Sequence, residues 1–136
     1  MCSPFIISAF MNFYERGIAM QFDFKKFQAI AKHAYPQSSQ FSFDACMSVF
    51  KSFFERYEEY TGVPHPPIKA SQIQRLCLDM PYIFDNLGRT TDLEPADYPA
   101  MIDDYFATMR MTRVNANINH FFSGRIREIA FYRAGL

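Results

Sequence analysis

Apolar side chains recur at intervals of three and four residues along most of the chain, a spacing that places them on one face of an α-helix. The clearest case lies between Ser42 and Gly62. Its apolar face consists of Cys46, Met47, Val49, Phe50, Phe53, Phe54, Tyr57 and Tyr60. The Ser42 hydroxyl can cap the first turn, while Gly62 and Pro64 supply a left-handed exit and a stop. The pattern predicts one long helix that forms the centre of the core.

Two shorter patterns flank this helix. Asp23 can cap a helix that runs to about Ala34, with an inner stripe of Phe24, Phe27, Ala31 and Ala34. After the stiff Pro-His-Pro-Pro linker at 64–67, Ser71 and Gln74 have the spacing of a capping box. The inner face of that helix comprises Ile73, Leu76, Cys77 and Met80. Pro81 then either ends the helix or opens a short successor that carries Tyr82, Ile83 and Phe84.

The second half of the chain is predicted to contain further helices. A turn over 86–91 contains Gly88, and a helical stretch then begins near Thr91 and breaks or kinks at Pro99. The inner positions of that stretch are Tyr98, Met101, Ile102, Tyr105 and Met109. Residues 117–122 form a turn or short helix, and 110–119 have no clear pattern. The last helix covers 124–133, follows Ser123 as its cap, and turns Ile126, Ile129 and Ala130 inward.

No stretch alternates apolar and polar residues for long enough to predict a strand. The chain has 136 residues, of which 49% are hydrophobic and 18% aromatic, enough for a real core without disulfides or metals. We therefore expect an all-α fold. It should be a single compact domain over 20–136, with five or six short to medium helices in an irregular or orthogonal bundle.

The first nineteen residues form a separate question. The apolar run at 4–13 is too short to span a bilayer and lacks the basic flank of a signal peptide. Glu15, Arg16 and Gly17 can be encoded by a purine run containing GAGG, shortly before Met20. Such a run resembles a bacterial ribosome-binding site, so our hypothesis is that Met20 is the start and 1–19 a translated leader. If the leader belongs to the protein, residues 5–14 form an amphipathic helix.

The formal net charge is zero, but the charge is unevenly distributed. Residues 79–104 contain seven acids and one base, whereas 105–136 contain five bases and one acid. The favoured interpretation is that these segments neutralise each other in the fold, and the alternative is two charged surfaces that face partners. The candidate acidic surface consists of Asp92, Glu94, Asp97, Asp103 and Asp104. The candidate basic surface consists of Arg110, Arg113, Arg125 and Arg127.

Sequence signals for catalysis and for cofactor or metal binding are absent. The chain has no paired Cys or His at zinc-binding spacing, and its five glycines are not clustered as a phosphate-binding loop requires. His33, His65 and His120 stand apart from one another. Cys46 and Cys77 fall on inner helix faces, which is typical of reduced, buried thiols in a cytoplasmic protein. The sequence therefore predicts a protein that is not an enzyme and uses no cofactor.

These observations favour a small cytoplasmic helical module that binds a protein partner. Its size suits an accessory protein of a bacterium, phage or mobile element, and one version is an inhibitor whose acidic 79–104 segment occupies a basic nucleic-acid channel on its target. The alternative is a nucleic-acid-binding protein that uses the arginine-rich C-terminal segment, with affinity that falls steeply with salt. A homodimer is a further expectation, because the chain is rich in aromatic rings.

Seen along the axis of the last helix, the arginines lie on different sides instead of forming the single row that phosphate binding requires. This arrangement favours a helix that belongs to the core, with arginine stems covering its edge. If the helix is part of the core, a chain that ends at Phe122 will not fold. Circular dichroism should then show no cooperative thermal transition. A truncated chain that keeps its transition but loses a binding activity would instead identify the segment as a docking surface.

Overall fold

The computed structural model describes residues 20–85, 87–108 and 116–136. These contain six helices and one small two-stranded sheet, which confirms the predicted all-α class. In chain order the elements are α1 (Phe24–Ala34), α2 (Phe43–Thr61), α3 (Ala70–Asp79), β1 (Tyr82–Phe84), β2 (Thr90–Asp92), a 3₁₀ turn (Pro95–Asp97), α4 (Tyr98–Thr108), α5 (Ile118–Phe121) and α6 (Ile126–Arg133). Within these ranges no helix has both the length and the apolar character needed to cross a membrane.

Helix α2 is the centre of the core, as its sequence pattern predicts. The Ser42 hydroxyl accepts the Ala45 N–H at 3.1 Å, and Gly62 ends the helix with a left-handed φ of 77°. Phe53 shows how central the helix is, since its ring contacts the rings of Tyr105, Phe106 and Phe121. Tyr60 is the exception to the predicted face. It is about half exposed (48%) and rests with one side against Phe106.

Helix α1 begins at its predicted cap, with Asp23 Oδ1 accepting the Lys26 N–H at 3.0 Å. The residues before it are held by a buried carboxylate. Glu58 of α2 accepts the N–H groups of Gln21 and Phe22 at 2.9 and 3.1 Å. These charge-assisted bonds satisfy a carboxylate that would be costly to bury alone. They fix the entry to α1 on the side of α2.

The start of α3 and the segment after Pro81 differ from the sequence expectation. Helix α3 begins at Ala70, where Gln72 Oε1 accepts the Lys69 N–H at 3.1 Å, so the predicted Ser71–Gln74 capping box is wrong. The helix ends at Asp79, just before Pro81, in agreement with the first alternative. The second alternative, a short helix after Pro81, is wrong, because the chain forms an antiparallel hairpin there. Its strands have only three residues each, too few for an alternating pattern to stand out.

The loop of the hairpin is organised by Asp85. Its Oδ1 accepts the N–H groups of Leu87 and Arg89 at 2.8 and 2.9 Å, and its Oδ2 lies 2.7 Å from Arg89 Nε. Gly88 supplies the positive φ of 77° that reverses the chain. An aspartate that bonds to backbone a few residues ahead competes with helix formation and stabilises a turn. This local bonding explains why the segment after Pro81 does not continue as a helix.

The helical stretch predicted from Thr91 begins later than expected. Thr91 lies in β2, and Leu93 N–H is bonded to the Pro81 carbonyl at 2.8 Å, which closes the base of the hairpin. The helix proper starts at Tyr98 after the 3₁₀ turn. Pro99 is therefore the second residue of α4, where its missing N–H costs no helical hydrogen bond. The predicted kink at Pro99 is wrong for this reason.

The C-terminal helices also depart in part from the prediction. The short helix α5 is capped by Asn117, whose Oδ1 accepts the His120 N–H at 3.0 Å. Ser123 does not cap α6, because its hydroxyl donates to the His120 carbonyl at 2.7 Å. On α6, Ala130 is buried and Ile126 packs against the core as predicted, but Ile129 is 44% exposed and Arg127 is buried, contrary to the prediction.

A buried histidine fastens the proline-rich linker to α5. His65 Nδ1 lies 2.8 Å from the Pro66 carbonyl, and its Nε2 accepts the Ile118 N–H at 3.0 Å. With Nε2 acting as an acceptor, the ring proton must lie on Nδ1 and the imidazole must be neutral. Burial among aromatic rings lowers the pKa of His65 to about 4, although its bond to Pro66 acts in the opposite direction.

This histidine predicts a pH dependence of stability. Between pH 6.5 and 4 the unfolded chain binds a proton at His65 that the folded chain does not, so the contribution is complete above pH 6.5 and is lost as the pH falls. The expected loss is about 3 kcal/mol of unfolding free energy. His65→Gln keeps an acceptor for Ile118 but cannot titrate. Urea unfolding at pH 7 and 4 should show a smaller drop for this variant, and equal drops would contradict the assignment.

Candidate protein-binding surface

The predicted acidic residues are divided between two places. Asp92 ends β2, Glu94 precedes the 3₁₀ turn, and Asp97 is the last residue of that turn, where its Oδ2 accepts the Glu94 N–H at 2.8 Å. Asp103 and Asp104 lie on α4, and both are close to an arginine. Asp103 Oδ1 is 2.9 Å from Arg56 Nε, and Asp104 Oδ2 is 3.9 Å from Arg133 Nη1. The α4 acids are therefore partly neutralised by arginines, whereas Asp92 and Glu94 are exposed and take part in no ion pair among the described residues.

The predicted basic residues do not form one surface in the part of the chain that the structure describes. Arg110 and Arg113 lie outside the described residues. Arg125 is exposed but makes a two-point contact with Glu128, at 3.0 and 3.1 Å. Arg127 is buried, with 8% of its surface exposed, so it is unsuited to the surface role that its sequence position suggests.

Arg127 instead joins α6 to the end of α3. Its Nη1 donates to the Asp79 carbonyl at 3.0 Å and to the Tyr98 hydroxyl at 2.9 Å, and its guanidinium lies 4.4 Å from the centre of the Phe122 ring. Asp79 is the last residue of α3, where helix carbonyls lack partners and carry negative partial charge. The cation thus meets an opposite partial charge at the helix end.

Tyr98 completes this junction. Its hydroxyl donates to the Met80 carbonyl at 2.7 Å while accepting from Arg127. Burial raises the pKa of Tyr98 to about 12, although the neighbouring guanidinium of Arg127 acts in the opposite direction. The phenol therefore stays protonated and can donate. Helices α3, α4 and α6 meet at these two side chains, directly below the hairpin.

The hairpin rests on this junction and turns one face outward. Along β1 the side chains alternate, with Ile83 buried and its neighbours Tyr82 and Phe84 outside. The register places Asp92 opposite Tyr82, so the acid shares the outward face with the two rings. Phe84 is 57% exposed, and Leu87 in the loop is 76% exposed. We call Tyr82, Phe84, Leu87 and Asp92 the hairpin face.

A second exposed strip runs along α6 beside the hairpin. Strand β1 packs against α6, and Arg125 is close enough to Asp85 for the two charges to attract. Ile129 and Tyr132 follow Arg125 by four and seven residues, so the three lie on one side of the helix. Both are largely exposed, Tyr132 to 65%. We call Arg125, Ile129 and Tyr132 the α6 strip.

Sequence reasoning missed both features for an identifiable reason. It assigned Ile129 to the inner face of the last helix, because large apolar residues at helical spacing are usually buried, and it placed Phe84 in a possible short helix after Pro81. The Asp-x-x-Gly-Arg sequence at 85–89 was the available signal for a tight turn, and therefore for a hairpin with outward side chains. No comparable local signal reveals the rotation of α6, which depends on the burial of Arg127.

Two of the three histidines, His65 and His120, are engaged in structural bonds. Both ring nitrogens of His65 are bonded, and the Tyr105 hydroxyl lies 2.8 Å from His120 Nδ1. Burial raises the pKa of Tyr105, which keeps its hydroxyl a donor to that imidazole. In the described ranges no three His, Cys, Asp or Glu side chains are placed to hold a metal ion.

An apolar cleft of about 350 Å³ lies between α1 and the proline-rich linker. Phe22, Phe27, Ile30, Pro64 and Ile68 are among the residues that line it. Comparison with known proteins adds no precedent for this cleft or for the hairpin face. No protein family, curated protein or solved structure matches the chain.

The Arg127 junction predicts a large and selective loss of stability. Arg127→Ala leaves the Asp79 carbonyl and the Tyr98 hydroxyl without their buried donor, which should lower the unfolding free energy by about 2–3 kcal/mol. Arg125→Ala, two residues earlier, removes a half-exposed guanidinium from Glu128, whose carboxylate can still reach water at its 11% exposed side, and should lower the unfolding free energy far less than Arg127→Ala does. Chemical denaturation of both variants tests this. Equal effects would show that Arg127 does not support the junction.

Proposed function

We propose that this chain is a non-enzymatic helical module that binds a protein partner through the hairpin face, with the α6 strip completing the contact. The observation that carries the proposal is the exposure of Phe84 and Leu87 on a hairpin whose third apolar residue, Ile83, is buried in the core. Large apolar side chains grouped on one exposed element are typical of interaction sites in stable monomers. The proposal extends to Ile129 and Tyr132, which are exposed on the adjoining helix.

The support under these side chains favours binding without rearrangement. The loop is held by the three contacts of Asp85, and the hairpin base is closed by the bond from Leu93 to Pro81. A surface that is already ordered loses little conformational freedom when it binds. The hairpin face thus resembles a preformed apolar centre surrounded by polar groups, the usual anatomy of a protein interface.

The charges near the hairpin indicate the chemistry of the partner. Asp92 lies on the hairpin face itself, and exposed Glu94 follows two residues later. The neighbouring bases are already matched, Arg89 with Asp85 and Arg125 with Glu128. The partner should therefore offer an apolar pocket bordered by lysine or arginine. Of the acidic residues expected from the sequence to contact a partner, Asp92 and Glu94 are therefore the main candidates. The α4 acids should contribute less to binding, because each already lies close to an arginine.

The pairing of Arg125 and the burial of Arg127 favour this function over nucleic-acid binding. A phosphate-binding surface needs several unpaired cations on one side. The inhibitor version, in which the acidic segment occupies a basic channel of a target protein, is compatible with the same hairpin face. In that version, this chain and the nucleic acid would compete for the same channel of the target protein.

Substitution of the apolar centre tests the proposal. Phe84→Ser combined with Leu87→Ser should abolish capture of a partner from the native host, while the melting temperature stays nearly unchanged because both side chains are exposed. Ile30→Ser, an exposed apolar site on α1, is the matched control and should capture normally. Asp92→Asn with Glu94→Gln should weaken capture most at low salt.

Three outcomes would count against the proposal. Normal capture by the double serine variant would show that the hairpin face is not the binding surface. Equal loss in the Ile30→Ser control, with an unchanged melting temperature, would show that capture does not depend specifically on the hairpin face, since Ile30 lines the cleft beside α1. A sedimentation mass that doubles with concentration in the parent chain, but not in the double serine variant, would identify a second copy of the chain as the occupant.

A further inference from the structure

The cleft between α1 and the proline-rich linker has a volume of about 350 Å³, and no residue of the hairpin face lines it. Pockets that bind small molecules span about 300–1,000 Å³ and are lined mainly by apolar side chains. The apolar part of this lining consists of Phe22, Phe27, Ile30, Pro64, Pro67 and Ile68. Ile30 is exposed, so the cleft is open to solvent on the side of α1. The cleft therefore has the size and the lining of a site for a small molecule.

Both walls of the cleft are fixed by buried polar groups. On one side, Glu58 of α2 accepts the N–H groups of Gln21 and Phe22 and holds the chain before α1 in place. On the other side, His65 is bonded through both ring nitrogens, and its Nε2 accepts the Ile118 N–H. Glu58 and Ile118 are not among the lining residues, so these bonds fix the walls from behind. A site that is already ordered loses little conformational freedom when a ligand binds.

The charged groups at the cleft favour an anionic ligand. Asp23 and Lys26 both line it. Asp23 is the N-cap of α1, where its Oδ1 accepts the Lys26 N–H at 3.0 Å and its charge faces the positive end of the helix dipole. The Lys26 ammonium takes part in no ion pair among the described residues. The carboxylate is thus already used by the helix, whereas the ammonium is free to bind a ligand.

We propose that this cleft binds a small amphipathic carboxylate, such as a medium-chain fatty acid, with its alkyl chain against the apolar walls and its carboxylate beside Lys26. Burial of the chain supplies most of the affinity, because it removes methylene groups from water. The ion pair with Lys26 contributes less, because the ammonium is exposed to solvent, but it decides which head group is preferred. The cleft and the hairpin face share no residue, so this site is separate from the proposed function.

Three ligands with the same chain and different head groups test this assignment. Isothermal titration calorimetry on the full chain at pH 7 should show that octanoate binds about threefold to fivefold more tightly than octanol, and that octyltrimethylammonium binds most weakly. Amide NMR should place the largest shifts at Lys26, Ile30 and Ile68. Tightest binding of the ammonium ligand would show that Asp23 selects the head group and would overturn the proposal. The absence of saturable octanoate binding would also overturn it.

Matched variants on α1 separate the two contributions. Lys26→Gln removes the ammonium and should weaken octanoate binding about threefold to fivefold, while octanol binding stays unchanged. Lys25→Gln, at the preceding position, changes a side chain that lines a hollow between α1 and α2, and it should affect neither ligand. Ile30→Asp should weaken both ligands about tenfold, because it places a charge on an apolar wall. Equal effects of Lys26→Gln and Lys25→Gln would overturn the role of Lys26.

The same titration distinguishes two other occupants of the cleft. If a chain that begins at Met20 binds octanoate and the full chain does not, residues 1–19 occupy the cleft and the proposal is wrong. An affinity that falls as the protein concentration rises would identify a second copy as the occupant, with the same consequence. The chain with Phe84→Ser and Leu87→Ser should bind octanoate normally, since neither residue lines the cleft. Failure of this proposal and failure of the proposed function are therefore distinguishable.

Discussion

The structure depends on the burial of the rings of α2 on several sides at once. Phe50 and Phe54 pack against Phe27 of α1, while Phe53 packs against rings of α4 and α5. Each ring removes a large apolar area from water, and together they require neighbouring helices on more than one side of α2. Because apolar side chains cover a wide arc of the circumference of α2, this helix must lie among other helices and not at the edge of the bundle. The irregular arrangement of short helices around it follows from this constraint.

Polar junctions then determine how the outer elements are oriented on this core. Arg127 and Tyr98 satisfy the carbonyls at the end of α3, His65 bonds the first N–H of α5, and Glu58 bonds the backbone before α1. Each is a buried polar side chain paired with backbone groups that would otherwise be unsatisfied. These bonds add specificity to an apolar core that could pack in several ways. They also explain why residues that look functional in the sequence have structural roles.

The proposed binding surface is a consequence of the same packing. The burial of Arg127 rotates α6 so that Ile129 and Tyr132 face outward beside the hairpin. Strand β1 packs against α6, so the α6 strip adjoins the hairpin face.

The sequence by itself determined the helical class, the limits of α1 and α2 and the burial of both described cysteines. Caps such as Asp23 and Ser42, and apolar spacing over many turns, are local signals that a single chain displays. The hairpin, the exposure of Ile129 and the burial of Arg127 were decided only by the tertiary structure. Short strands contain too few residues for a pattern, and the side a helix buries depends on which distant carbonyls need a donor. That information lies in contacts between residues far apart in the chain, such as Arg127 with Asp79, and not in local spacing.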